Sequence, residues 1–229
     1  MEEILDRYRA LLERIDGWFA ACAAAHPAQI VCGAGCSGCC RGLFDITLLD
    51  AALLQQGLAA LQPAVRKDVR ERARHRLPEL TARWPGFSPP FILNGYPDAE
   101  WTQMPEDDPT PCPLLGPEGR CLVYSHRPML CRLHGLPQID RSGEVFDESW
   151  CTLNFAGDDP SLMPDLRWEF RAAFTTELNL FGEFTSRLLG RPVREFDTFL
   201  PTALLIDFAT FDWRNWTPPF SPDAAGKAR

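Results

Sequence analysis

At 229 residues, 45% hydrophobic and 24% charged, the chain is long enough to bury a sizeable core without disulfide staples and has the composition of a folded globular protein. A net charge of −8 argues against broad electrostatic binding to nucleic acid or to an anionic membrane, leaving room only for a local basic patch. Met1-Glu2-Glu3 lacks the basic start and apolar run of a signal peptide and no stretch is long and apolar enough to span a bilayer, so the expected location is a reducing cytoplasm.

The first segment, to about Ala25, has Ile4, Leu5, Tyr8, Leu11, Leu12, Ile15, Trp18, Phe19 and Cys22 at three- and four-residue steps and is expected to be an amphipathic helix ended by His26-Pro27. Cys22 lies on its apolar stripe, where core packing is the expected role. The run Val31-Cys32-Gly33-Ala34-Gly35-Cys36-Ser37-Gly38-Cys39-Cys40-Arg41 follows, with four cysteines in nine positions and only small residues between them. Small residues let a backbone wrap closely, and thiolates are soft ligands for zinc, iron or iron–sulfur clusters.

Leu43 to Ile46 reads as a short extended segment. Thr47 and Asp50 then have capping-box spacing before a helix expected to run to about Leu61, with Leu49, Leu53, Leu54, Leu58 and Leu61 as its stripe. Val65 to Arg83 carries charges at helical spacing and reads as an exposed helix broken near Pro78. Pro85 to Gly119 is rich in Pro, Gly and acidic residues, and is expected to be a long loop drawn over a metal site. A hairpin turn is expected at Ser142-Gly143. One strong helix is expected from about Asp165 to Leu189, with Leu166, Phe170, Phe174, Leu178, Phe181, Phe184 and Leu188 on one face and Gly190 and Pro192 as its stop. Phe199 to Phe208 fits either a helix begun at Pro201 or a buried strand, of which the helix is chosen; the tail beyond Trp216 reads as disordered.

The second cysteine set is Cys112, Cys121, Cys131 and Cys151, and with Cys22 the total is nine. An odd count in a cytosolic chain disfavours a disulfide framework and favours ligation. Adjacent Cys39 and Cys40 would point apart on a regular helix or strand, so they serve different metals or only one of them binds. The eight clustered thiols suffice for two four-thiolate sites or for one cluster with extra structural ligands. Arg41, Arg120, Arg127 and Arg132 lie beside cysteines, where a cation stabilises a thiolate, and His126 and His134 lie near enough to Cys131 to be ligands, neighbours of ligands or proton carriers. Glu144, Asp147 and Glu148 read as a solvated turn.

Cys36-Ser37-Gly38-Cys39-Cys40-Arg41, Cys112-Pro113-Leu114-Leu115, Gly119-Arg120-Cys121-Leu122-Val123-Tyr124 and Arg127-Pro128-Met129-Leu130-Cys131-Arg132 together resemble the YkgJ-type cysteine-cluster family. That family comprises zinc- or iron-chelating proteins with eight characteristic cysteines and includes flagellin lysine N-methylases. The resemblance, which runs from Cys32 to Cys151, implies that Cys32, Cys36, Cys39, Cys40, Cys112, Cys121, Cys131 and Cys151 hold metal. One departure is the three-residue gap between Cys32 and Cys36, where the family commonly has two.

Zinc sites usually present paired Cys-x2-Cys knuckles, and here only Cys36 and Cys39 have that spacing. A clustered triplet with a remote cysteine is closer to the way iron–sulfur clusters are held, so a 4Fe-4S cluster is favoured and zinc is the alternative. The Cys32-x3-Cys36-x2-Cys39 triplet also has radical S-adenosylmethionine spacing, but neither the residue before the last cysteine, Gly38, nor the surrounding pattern fits that family. The leading function is therefore a metal-centre or redox protein with a protein substrate or redox partner, no nucleic acid and no membrane. A lysine N-methylase-like enzyme and a zinc-stabilised interaction module are the alternatives. The fold class expected is mainly α, a helical domain around a loop-rich cysteine core with a few short strands. Its parts would be an amino-terminal helix over 1–30, a metal-binding core over 31–155, a helical extension over 156–216 and a disordered tail over 217–229.

Overall fold

The apolar stripe of the first segment makes α1 (Glu2–Ala25) a helix with one buried face, on which Ile4, Tyr8, Leu12 and Ile15 are wholly covered and Cys22 packs among them. The computed structural model describes residues 1–33, 35–97 and 108–217. Within these the chain is mainly α-helical, with two small antiparallel sheets of two strands each, and no described helix is long and apolar enough to cross a membrane.

After the cysteine loop, β1 (Asp45–Thr47) leads into α2 (Leu48–Ala60). Thr47 Oγ1 accepts from the Asp50 backbone N–H at 3.1 Å, the cap that the sequence predicts. The Asp50 carboxylate, however, turns inward. It is 3% exposed and accepts from the Tyr8 hydroxyl at 2.8 Å and from the Met129 backbone N–H at 3.0 Å. Nor is α2 an edge helix with one apolar stripe, since Leu48, Leu49, Ala51, Ala52, Leu53, Leu54, Gly57 and Leu58 are all buried. At Gly57 a Cβ would come within 2.7 Å of His126 Cβ, so only glycine lets the Tyr124–His126 turn sit directly on the helix.

The charged segment forms two helices, α3 (Pro63–Arg74) and α4 (Leu77–Arg83), because Pro78 has no N–H to continue the first ladder. It is not wholly exposed: Val69 and Ala73 are buried, and Arg76, 6% exposed, donates to Asp108 Oδ2 at 2.6 Å. The stretch from Pro85 holds no helix or strand among the described residues, as expected of a loop, but its first part is not a surface connection. Phe87, Phe91, Ile92, Leu93 and Tyr96 are core residues, with Trp84 tilted and Phe87 edge-on against Phe199, and Leu93 N–H donates to Asp197 O in β4 (Asp197–Phe199). β4 pairs antiparallel with β1, Ile46 opposite Thr198. Residues 98–107, the middle of that expected loop, lie outside the described residues.

A 3-10 turn at Tyr124–His126 leads to the short α5 (Met129–Leu133), and the Ser142-Gly143 turn joins β2 (Gln138–Ile139) to β3 (Val145–Asp147), as expected, with Gly143 in the left-handed region. The strong helix, α6 (Phe170–Leu189), starts five residues later than Asp165. Trp168 is bound on both sides to the end of β2, through Trp168 N–H to Ile139 O and Arg141 N–H to Trp168 O, which holds the preceding residues out of the helix. Its buried face is also shifted: Phe170, Ala173, Leu180, Phe181 and Phe184 are covered while Leu178 is 61% exposed. The place on the stripe that hydrophobicity assigns to Leu178 belongs by helical phase to Glu177, which bonds the Tyr8 hydroxyl. Of the stretch from Phe199 onward only α7 (Leu200–Ala203) is helical, with Pro201 in its first turn as predicted. The tail expected to be disordered falls on residues 218–229, outside the described residues.

Burial, then the charges of Asp50 and Asp197, pushes the Glu177 carboxyl up to about 8. An unfolded Glu titrates near ~4.3. The folded chain therefore keeps a proton that the unfolded chain releases, and this contribution to stability is full below ~4.3 and lost as pH rises through about 8. Asp50 and Asp197, each raised to about 6, act in the same direction at lower pH. Urea midpoints measured from pH 6 to 9 should fall for the wild type and stay nearly level for Glu177→Gln.

Candidate metal centre

Two tight turns shape the cysteine loop, Cys36 N–H to Gly33 O and Cys40 N–H to Ser37 O, both at 3.0 Å. Gly35 takes a φ of 92°, and a Cβ on Gly119 would stand 3.0 Å from Gly35 O, so the 116–120 turn rests on the loop through bare backbone. Cys39 and Cys40 lie side by side in the Ser37–Cys40 turn, and this backbone is neither helix nor strand, so the divergence that adjacent residues have in those elements does not apply to them.

From this loop, backbone pairing gathers the later cysteines in two groups. Cys40 O accepts from Cys112 N–H at 2.9 Å and Gly42 N–H donates to Thr110 O, with Arg41 opposite Pro111. Leu122 N–H to Leu114 O and Gly116 N–H to Arg120 O close a small hairpin that sets Cys121 opposite Leu115, beside Cys112. α5 supplies Cys131. On the other side of the loop, Asn154, 1% exposed, donates from Nδ2 to Cys32 Sγ at 3.3 Å and to Gly135 O at 2.8 Å, and accepts from Val31 N–H at 3.0 Å. Cys151 joins this group through Cys151 N–H to Gly135 O and Asn154 N–H to Cys151 O. Gly135 has a φ of 117°, and a Cβ there would press on Cys32 Sγ at 3.3 Å.

The electrostatics follow the same grouping. Burial pushes the Cys32 thiol up to about 11; its Asn154 hydrogen bond opposes this, and the negative charges of Cys151, Cys36 and Cys39 add to it. Burial lifts Cys112 to about 11 as well, and it raises Cys121 and Cys131, the last further repelled by Cys112, Asp50, Cys121 and Cys39. Cys39 is raised by donating to Cys40, which is lowered by accepting and is opposed by Cys112, Cys131 and Cys121. Cys36 and Cys39 are exposed, and the other six clustered cysteines are partly covered.

Among the neighbouring cations, Arg127 favours the thiolate of Cys121 and of Cys39, but burial outweighs it at Cys121 and both Cys40 and burial do at Cys39. Arg127 lies over the Tyr124 ring at 3.9 Å and donates to Asp16 at 2.8 Å. Arg132 is 3% exposed, and its guanidinium is engaged by Asp16, Ser125 O and Arg127 O. Arg41 donates to Pro109 O at 3.1 Å, while Arg120 and His134 are exposed. His126 packs on α2 at Gly57 and bonds Ser125 Oγ through Nδ1. Reading the sequence missed Asn154, Asp16 and Arg72, which lowers the Cys112 thiol; the bonds that tie them to the site, Asn154 to Val31 and Cys32, Asp16 to Arg127 and Arg132 and Arg72 to Leu115, span 43 to 123 residues and leave no local signal.

Among the described residues no three Cys, His, Asp or Glu side chains converge to grip an ion as they stand. The donor chemistry nonetheless fits a soft cation. Five of the eight thiols are raised, Cys32, Cys112 and Cys131 by burial and the charge of other thiols, Cys39 by its bond to Cys40 and burial, and Cys121 by burial, and a bound cation would offset these penalties. A Cβ on Gly33 or Gly38 would meet nothing within 4 Å, which leaves the loop space in which to close.

A family model described as "Putative zinc- or iron-chelating domain" matches residues 31–152, more than half of the chain and the whole span from Cys32 to Cys151. No curated protein and no solved structure matches the chain.

Because the thiols are held protonated, metal must displace protons. Adding zinc to metal-free protein in weak buffer at pH 7 should release several protons per ion, read by a pH indicator, and zinc affinity should rise with pH. Asn154→Ala strands Gly135 O and Val31 N–H, which should cost about 1–3 kcal/mol in chemical denaturation and weaken metal retention against a chelator.

Proposed function

The chain belongs to the CxxCxxCC family of zinc- or iron-chelating domains, and from that membership we propose that it holds an iron–sulfur cluster, of the 4Fe-4S kind, in a redox or metal-centre role served by a protein partner. The observation that carries this reading is the triplet Cys32, Cys36 and Cys39 on one small-residue loop, joined by the remote Cys151 through Asn154 and Gly135. A close triplet completed from far along the chain is how iron–sulfur clusters are commonly held. When bound, such a cluster supplies one-electron exchange.

The chain's own residues then set the conditions. Asn154 donates to Cys32 Sγ, and hydrogen bonds to cluster sulfurs help set the potential. Asp16 aims Arg127 toward Cys39 and Cys121, where its charge offsets that of bound thiolates. Cys36 and Cys39 at the surface give a partner close approach. A lysine N-methylase-like enzyme dependent on the same centre is the alternative, and it would leave methylated lysine on a protein substrate. A zinc-stabilised module would use the same thiols without redox chemistry. Anaerobic purification followed by iron, sulfide and zinc analysis and an absorption spectrum separates these readings. Iron and sulfide in equal amounts with a broad visible band are expected; zinc alone, even after reconstitution, overturns the cluster.

A further inference from the structure

We infer that the eight cysteines build two metal centres, an inner one on Cys40, Cys112, Cys121 and Cys131 and an outer one on Cys32, Cys36, Cys39 and Cys151, which meet at the Cys39–Cys40 pair. The inference rests on the metal-binding reading above and adds the number of centres and their accessibility.

Hydrogen bonds outside the thiols divide the ligands. Cys40 and Cys112 are neighbours in a backbone pairing, the turn from Cys112 to Leu115 leads into the hairpin that sets Cys121 opposite Leu115, and the 3-10 turn after Cys121 is followed by the helix of Cys131. No backbone pairing in this group involves Cys32 or Cys151. Those two are bound instead to Asn154 and to Gly135, beyond α5. Cys36 follows Cys32 through a single tight turn. The groups touch where the 116–120 turn rests on Gly35 and again between Cys36 and Cys40, where Cys39 and Cys40 are adjacent in sequence. Four thiols on each side is the complement that a zinc ion or a 4Fe-4S cluster takes when fully ligated by protein.

The two centres differ in cover. Cys32, Cys112 and Cys121 all pack against the hydrophobic core, but none of the four inner cysteines is exposed, whereas Cys36 and Cys39 of the outer set are. Exposed Val31 and Leu153 flank the outer ligands Cys32 and Cys151. The outer centre is therefore the one that exchanges metal or electrons with a partner, and the inner one ties the 108–131 segment to the loop.

Zinc(II) is the probe. Metal-free wild type loaded anaerobically and counted by native mass spectrometry should carry two zinc ions per chain, and Cys36→Ser, at an exposed position, should carry one. A chromogenic chelator should withdraw zinc from the wild type in two phases of equal amplitude, the faster one absent from Cys36→Ser. For the inner set, where a serine could prevent folding, cobalt(II) titration of the wild type serves instead: thiolate-to-cobalt absorption should grow to two equivalents. One zinc per wild-type chain, or cobalt saturation at one equivalent, overturns the two centres and leaves metal binding intact. Neither zinc nor iron bound overturns the metal-binding reading itself. Loss of all zinc from a Cys36→Ser protein with wild-type circular dichroism overturns the independence of the centres, and single-phase release from the wild type overturns their unequal accessibility.

Discussion

A carboxylate cannot be buried without partners, and Asp50 finds its partners on three different elements. Its own backbone N–H is capped by Thr47, while its side chain receives the Tyr8 hydroxyl from α1 and the first N–H of α5. A second carboxylate, Asp16, also on α1, takes the guanidinium groups of Arg127, just before that same short helix, and Arg132, within it. Hydrogen bonds to charged groups contribute about 1.5–3 kcal/mol each, a large share of the stability of an ordinary domain. α5 has little more than a turn of its own with which to hold its place. Its position, and with it that of Cys131, is set by these two acids rather than by local helix-forming tendency.

The same arrangement explains the chemistry of the loop. Thiols in a folded chain of this size would ordinarily be scattered as small apolar core residues, as Cys22 is. Here the frame packs Cys40, Cys112, Cys121 and Cys131 so closely that their charges oppose one another. Burial and repulsion act together, and the nearby arginines do not cancel them at most of these thiols. Cys112, Cys121 and Cys131, raised by burial, favour the neutral thiol, so a cation bound there would have to displace their protons.

Features written within a few neighbouring residues were legible in the sequence: the α1 stripe, the Thr47 cap, the Ser142-Gly143 turn, the mainly helical class and the cysteine-rich segment that the family model covers. Features decided by distant partners were not. Phe87 to Tyr96 has the prolines and glycines of a loop, yet Phe199, more than a hundred residues on, makes its aromatic residues core. Pairing of Trp168 with the end of β2 delays α6, and helical phase places Glu177 rather than Leu178 toward Tyr8. At the candidate centre the thiols themselves could be named from spacing and resemblance, whereas Asn154 reaches Val31 and Asp16 reaches Arg127 and Arg132 across 111 to 123 residues and leave no local pattern.

Gly57 links these two kinds of information. In the interior of a helix glycine costs roughly 0.5–1 kcal/mol relative to alanine, so α2 is weakened by the very residue that lets the Tyr124–His126 turn lie against it. An alanine at 57 would thus strengthen the helix by itself and yet push the segment between Cys121 and Cys131 off it, so the helix gives up stability of its own to seat the connection between two cysteines.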